Sequence, residues 1–156
     1  MRVAVLALLT LLLTRGTALG ADEGRLAREI MQNRDFEFVK NKATEVIGTG
    51  FNAGDGYREV WIRDLNTFVE LAVDGHDSND LRSALLVFFK LQGADGNIVD
   101  GFVLRRKTWL FTFSADCIET GLAPGYCGHK NTVETDQESS LIQAVYKYVQ
   151  KTGDHG

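Results

Sequence analysis

Apolar residues recur every three or four positions along most of the chain, which predicts a mainly helical protein. Four helical stretches follow from this spacing. They are residues 22–47 with a break near Asn33, residues 63–73, residues 81–92 and residues 136–151. The second has a clear apolar stripe formed by Leu65, Phe68, Val69 and Ala72. Helix pairs joined by longer polar loops are the architecture that this pattern favours.

Residues suited to helix ends mark several boundaries. Asp77 or Ser78 is expected to cap the third helix, which ends at Gly93, and Gly153 stops the last helix. Thr135 and Glu138 have the spacing of a capping box at the start of the last helix.

The segment near residues 95–115 breaks the helical pattern. Its apolar residues alternate instead, which is typical of a short hairpin or an irregular extended excursion. These residues are Val99, Phe102, Leu104, Trp109, Phe111 and Phe113.

The N-terminus has the features of a secretory signal peptide over residues 1–20. Met1-Arg2 precedes an uncharged apolar run from Val3 to Leu13, and Ala18-Leu19-Gly20 offers small residues before a cleavage site at Ala21. The run is too short to span a bilayer, so we expect cleavage and secretion, with no membrane association afterwards. Residues 21–156 then form the mature chain.

The charge balance argues against a nucleic-acid partner. The chain has 17 Lys and Arg against 21 Asp and Glu, a net charge of −4, and removing residues 1–20 leaves 15 against 21. The basic cluster at residues 105–107 is too small to neutralise several phosphates.

Cys117 and Cys127 are the two cysteines of the chain. In an oxidising compartment this close pair favours a disulfide, with two free thiols as the alternative. A metal site using both cysteines and His129 lacks a fourth ligand, so we expect neither a metal nor a cofactor.

Trp61, Arg63 and Asp64 form the first segment with possible chemistry. An indole can lie against the apolar face of a pyranose, while a guanidinium donates and a carboxylate accepts hydrogen bonds from its hydroxyls. The alternative is structural: Trp61 belongs to the core, and Arg63 and Asp64 form a salt bridge at a helix start.

The second segment is the acidic start of the last helix. At about 100° per residue, Asp136 shares a polar stripe with Ser139, Ser140, Gln143 and Lys147. Asp136 is therefore expected on a face that can line a cleft. Glu138 lies on the same face of the helix as the apolar residues, so it is better explained as a helix cap or as the buried partner of another side chain.

Two motifs, which follow one another along the chain, resemble the N-terminal part of the six-hairpin, (α/α)6-barrel glycosidases. Residues 61–64 match W-x-R-D, and residues 146–154 match Y-x-Y-x-x-x-T-G-D. The chain is similar in these motifs to the glucosidase domain of glycogen debranching enzymes, the glucoamylases and the metal-independent exo-mannosidases.

The resemblance implies a function and a set of site residues. The chain is expected to be a mainly α, incomplete (α/α)6 toroid and part of a hydrolase acting on a terminal, α-linked sugar. Asp136 would be the general acid, with Glu134 as the alternative. Trp61, Arg63, Asp64 and Glu134 would bind the carbohydrate substrate.

The chain also departs from this family, and two other hypotheses stay open. It supplies about two of six hairpins, and the second catalytic carboxylate is expected farther downstream, so we expect a truncated chain that is inactive alone. A secreted sugar-binding or inactive relative is the second hypothesis. A small exported helical protein, whose polar clusters are caps and salt bridges, is the third.

Overall fold

The structure, a computed structural model, describes residues 22–52, 57–105, 117–131 and 133–156. The expected signal peptide lies outside these residues, as do Trp109, Phe111 and Phe113 of the expected excursion. The chain divides into two units, Met1–Ala43 and Thr44–Gly156. The described part of the chain is mainly helical, as the periodicity predicts, and it also has a small three-stranded antiparallel sheet, which the periodicity does not predict.

The N-terminal unit contains the break that the sequence predicts at Asn33. Helix α1 covers residues 22–32, and α2 covers Arg34–Ile47, entering the second unit at its end. The Asn33 side chain accepts a hydrogen bond from the Asp35 N–H at 2.8 Å, and its carbonyl accepts from the Glu37 N–H at 3.2 Å. Asn33 therefore ends one helix and caps the next.

Apolar side chains of the N-terminal unit are exposed rather than buried. The residues concerned are Leu26, Ile30, Met31, Phe36, Phe38 and Val39. Their helical spacing correctly indicates α-helix but does not by itself predict burial.

Three helices dominate the second unit: α3 over Ile62–Gly75, α4 over Ser78–Lys90 and α5 over Gln137–Thr152. The Asp77 side chain accepts from the Asn79 N–H at 2.8 Å, so α4 begins three residues before the predicted start. Helix α5 ends at Gly153, whose φ of 72° is in the left-handed region.

The strands are β1 (Val60–Trp61), β2 (Gly101–Leu104) and β3 (Tyr126–His129), in the order β1-β2-β3. Among the described residues of the excursion near residues 95–115, β2 is the strand, and both of its partners lie outside that segment. Strand β2 therefore does not form a local hairpin, because β1 and β3 are hydrogen-bonded to its two edges.

The core of the second unit lies among α3, α4, α5 and the sheet. Leu65, Val69 and Ala72 of the predicted stripe are fully buried, and Phe68 packs against the core half-buried. The other helices contribute the buried residues Leu81, Ala84, Leu85, Phe88, Leu141, Ala144 and Tyr148. Burial of this stripe orients α3, so that its polar residues face away from the core.

Cys117 and Cys127 are joined by a disulfide. Within the described ranges, no group of His, Cys, Asp and Glu residues has the arrangement of a metal site. None of the helices in those ranges is long and apolar enough to cross a membrane.

Candidate functional site

The start of α3 and the start of α5 border an open cleft of about 490 Å³. This volume is within the range of small-molecule sites in proteins. The cleft is lined by Trp61, Arg63, Asp64, Asn66, Thr67, Glu134, Asp136, Ser139, Ser140 and Gln143. The structure therefore brings together all five residues that the sequence selects as candidates for binding or catalysis.

Arg63 joins the two chemical segments of the sequence. Its Nη1 lies 3.0 Å from Oε1 of Glu134, and its Nε lies 3.2 Å from Oδ2 of Asp136. The guanidinium thus pairs across the cleft, rather than with its sequence neighbour Asp64 as in the simpler structural interpretation. Asp64 is exposed and lines the same cleft.

Trp61 is positioned by both the sheet and the helix. It is the last residue of β1, immediately precedes α3, and lies opposite Gly101 of β2. A Cβ atom at Gly101 would come within 3.3 Å of the indole, so the missing side chain leaves room for the ring. Trp61 is half-buried and makes edge contacts with Tyr57 and His129. Its Nε1 is buried and has no hydrogen-bond acceptor among the described residues.

The acids at the start of α5 have separate roles. Asp136 occupies the N-cap position, yet its side chain makes no capping hydrogen bond and pairs with Arg63 instead. Glu138 does not complete the expected capping box, because its Oε1 accepts from the Ile98 N–H at 2.9 Å and from Lys130 at 3.3 Å. The hydrogen bond from Ile98 and the Lys130 charge lower the pKa of Glu138.

A row of polar side chains without a recognisable sequence motif lies behind the cleft. Gln137 is fully buried, and its Nε2 donates to Oε2 of Glu134 at 3.4 Å. Its Oε1 accepts from Nζ of Lys130 at 3.0 Å. Lys130 also lies 3.9 Å from the buried carboxylate of Asp100. A single lysine after an unrecognised strand gives no sequence signal for such a row.

Asp100 has the most strongly buried carboxylate next to this row. Its side chain is fully buried, and Oδ2 accepts from the Asn131 N–H at 2.6 Å. Burial raises the pKa of Asp100, although the hydrogen bond and the Lys130 charge oppose that change.

Polar contacts also join α3 and α5 along the cleft. Asn66 donates to Gln143 at 3.1 Å, and Lys147 donates to the Asn66 carbonyl at 2.7 Å and to its side-chain oxygen at 3.0 Å. These bonds hold the two helices that carry the cleft residues, and they use the polar stripe of α5 that begins at Asp136.

The lining chemistry favours an uncharged polar ligand. Three carboxylates, those of Asp64, Glu134 and Asp136, face one guanidinium, that of Arg63. The resulting negative field disfavours phosphates and other anions. Hydroxyl groups can accept from the guanidinium and donate to the carboxylates at the same time.

Compared with models of protein families, with curated proteins and with solved structures, the chain matches none of them.

Proposed function

We propose that this chain binds a terminal, α-linked sugar as part of a glycoside hydrolase of the six-hairpin type. In this proposal α3, α4 and α5 belong to an (α/α)6 toroid, and the cleft between α3 and α5 is the sugar site. The observation that carries the proposal is the Arg63 guanidinium, which links Glu134 and Asp136 in a polar cleft with Trp61 in its wall.

Each cleft residue has a defined task in this proposal. The Trp61 ring offers an apolar surface to the C–H face of the sugar, Arg63 donates to hydroxyls, and Asp64 accepts from them. Because Arg63 has two carboxylate partners, it can retain one when a ligand draws the other away.

Asp136 is the proposed general acid, which protonates the glycosidic oxygen as the bond to the anomeric carbon breaks. Glu134 is the alternative for this role. A second carboxylate, which activates water or attacks the anomeric carbon, completes the reaction, and by the family resemblance it comes from a later hairpin of the toroid.

A secreted sugar-binding protein without hydrolytic activity is the second candidate. It is favoured by the engagement of both Glu134 and Asp136 with Arg63, since carboxylates arranged in this way serve as hydrogen-bond acceptors for hydroxyls. The two candidates share the cleft and differ in whether Asp136 transfers a proton.

The test is a titration of the full chain with methyl α-D-glucopyranoside and methyl α-D-mannopyranoside, followed by NMR. Binding reports on the cleft itself and is common to both candidates. We expect one of the glycosides to shift the Trp61 indole resonance. Arg63→Met should weaken that binding about ten- to a hundredfold, because a hydrogen bond to a charged group contributes about 1.5–3 kcal/mol.

Arg105→Met is the matched control. Arg105 is also an exposed arginine in an ion pair, with Glu119 at 3.0 Å, and it does not line the cleft. Its substitution should leave glycoside affinity unchanged. Equal losses in both variants, or a lower Tm for Arg63→Met with unchanged affinity, would assign Arg63 a structural role and contradict the proposal. We expect no cleavage of aryl α-glycosides by this chain alone. Cleavage that is lost in Asp136→Asn would contradict that expectation and assign the proton transfer to Asp136.

A further inference from the structure

We propose that Gln137 is a positioning residue of the cleft, whose amide, anchored by Lys130, fixes Glu134 as a hydrogen-bond acceptor for the sugar. This inference rests on the proposed sugar site. It concerns two residues outside the cleft lining: Gln137, buried beneath it, and Lys130, which directly follows β3.

The first step is the environment of Lys130. Its Nζ lies 3.0 Å from Oε1 of Gln137, 3.3 Å from Oε1 of Glu138 and 3.9 Å from Oδ1 of Asp100. All three are oxygen atoms: those of Gln137 and Glu138 accept hydrogen bonds from Nζ, and that of Asp100 is a more distant ion-pair partner. An ammonium group has three donors and no acceptor, so the atoms that face Nζ at hydrogen-bonding distance must be acceptors, such as oxygen atoms.

The second step is the orientation of the Gln137 amide. A glutamine amide has an accepting side and a donating side, and rotating it by 180° exchanges them. Rotation here would place the NH₂ group against the Lys130 ammonium, with two donors facing each other inside the protein. Lys130 therefore holds the oxygen of Gln137 towards itself and directs the NH₂ group towards Glu134.

The third step is the effect on Glu134. Gln137 donates to its Oε2, and the Arg63 guanidinium lies 3.0 Å from its Oε1 in an ion pair, so both carboxylate oxygens have a fixed partner. The Glu134 side chain remains about one-third exposed, at 31%. Its remaining lone pairs are thus presented to the cleft in one orientation. Gln137 itself is fully buried and has little freedom to move.

Gln137→Glu tests this inference with almost no change of shape. The new carboxylate can still accept from Lys130 but has no N–H for Glu134, and it places a second negative charge beside that residue. We expect about tenfold weaker binding of the methyl glycoside at pH 7. The loss should shrink towards pH 5, because protonation of the new carboxyl group restores a donor facing Glu134.

Gln150→Glu is the matched control, since it adds the same charge to an exposed position of α5. It should change neither affinity nor its pH dependence. Lys130→Met should weaken binding severalfold, and Lys130→Arg, which keeps the donors, should retain it. Wild-type affinity in Gln137→Glu at pH 7, or a loss that is the same at every pH, would overturn the inference.

A readout without sugar separates this inference from the proposed function. In the wild-type chain, the Gln137 side-chain amide protons should show NOEs to the Glu134 Hγ protons. NOEs to the Lys130 Hε protons in their place would overturn the inference, whether or not a glycoside binds. Absence of glycoside binding together with the expected NOEs would reject the sugar site and leave the positioning of Glu134 by Gln137 supported.

Discussion

Asp100 and Glu138 both lie near the Lys130 ammonium, yet their pKa values change in opposite directions. Burial is the largest influence on Asp100 and raises its pKa from the ordinary value of 3.8. Glu138 is less buried and accepts a backbone hydrogen bond from Ile98, which lowers its pKa from 4.5. Desolvation and hydrogen bonding thus decide the protonation of two carboxylates that share one cation.

These directions predict opposite pH dependence for two substitutions. A raised pKa means that the Asp100 contribution to stability is fully present below pH 3.8 and decreases as the pH rises through the folded-state value. A lowered pKa means that the Glu138 contribution is present above pH 4.5 and is lost as the pH falls through the folded-state value. The stability of Asp100→Asn relative to wild type should therefore improve with rising pH, and that of Glu138→Gln should worsen.

Urea denaturation of both variants and the wild type between pH 3 and pH 7 measures this contrast. Each variant serves as the control for the other, because both remove one negative charge beside Lys130. If the stabilities of both variants relative to wild type change in the same direction with pH, the raised pKa of Asp100 or the lowered pKa of Glu138 is wrong.

At the scale of elements, the junction of β1 with α3 links the fold to the site. Trp61 ends the strand and Arg63 lies in the first turn of the helix, so the pairing of β1 with β2 positions both side chains. That pairing is close at Gly101, where a Cβ atom would lie 2.9 Å from the Val60 carbonyl oxygen. A backbone atom cannot move away as easily as the end of a flexible side chain.

Gly101→Ala should therefore destabilise the protein and disturb the cleft together. We expect a loss of about 1–3 kcal/mol in the free energy of unfolding, as for other overpacking substitutions. The Trp61 indole resonance should shift as well. Gly121→Ala is the control, because no heavy atom lies within 4 Å of a Cβ atom at that position. Similar stabilities of the two variants would show that β1 moves to accommodate the added methyl group without a loss of stability.

The helices themselves could be read from the sequence to within a few residues, whereas β1 and β3 could not. Helix α3 repeats its apolar residues over about three turns, so the pattern is redundant. Strand β1 has two residues and β3 has four, including Gly128. Segments this short contain too few alternating apolar and polar residues to indicate a strand. They are extended here because β2 supplies their hydrogen-bond partners.

At the scale of the whole molecule, the disulfide closes a loop between the sheet and the segment before it. Cys117 and Cys127 are ten residues apart, and Cys127 is fully buried in β3. The loop-closure model gives a stabilisation of about 2–3 kcal/mol for a loop of this size.

Reduction by dithiothreitol should lower the free energy of unfolding by about that amount, measured by urea denaturation with and without the reductant. The Cys117→Ala/Cys127→Ala double variant is the control and should not respond to dithiothreitol. A wild-type chain with the same stability in both conditions would show that the disulfide contributes nothing to stability.

The sequence by itself determined the helical character of the chain, the break at Asn33, the buried stripe of α3 and the polar stripe of α5. These features depend on spacing within one element, which is local information. The side-chain chemistry of Trp61, Arg63, Asp64 and Asp136 also selected them as candidates without coordinates, and the family resemblance added Glu134.

Only the tertiary structure decided which of these residues meet. Arg63 pairs with carboxylates more than seventy positions away instead of with Asp64, because burial of the α3 stripe turns Arg63 towards α5. Gln137 and Lys130 likewise contribute to the site only through tertiary contacts. Their contacts depend on how β3 ends beside the first turn of α5, and the spacing within either segment contains no information about that packing.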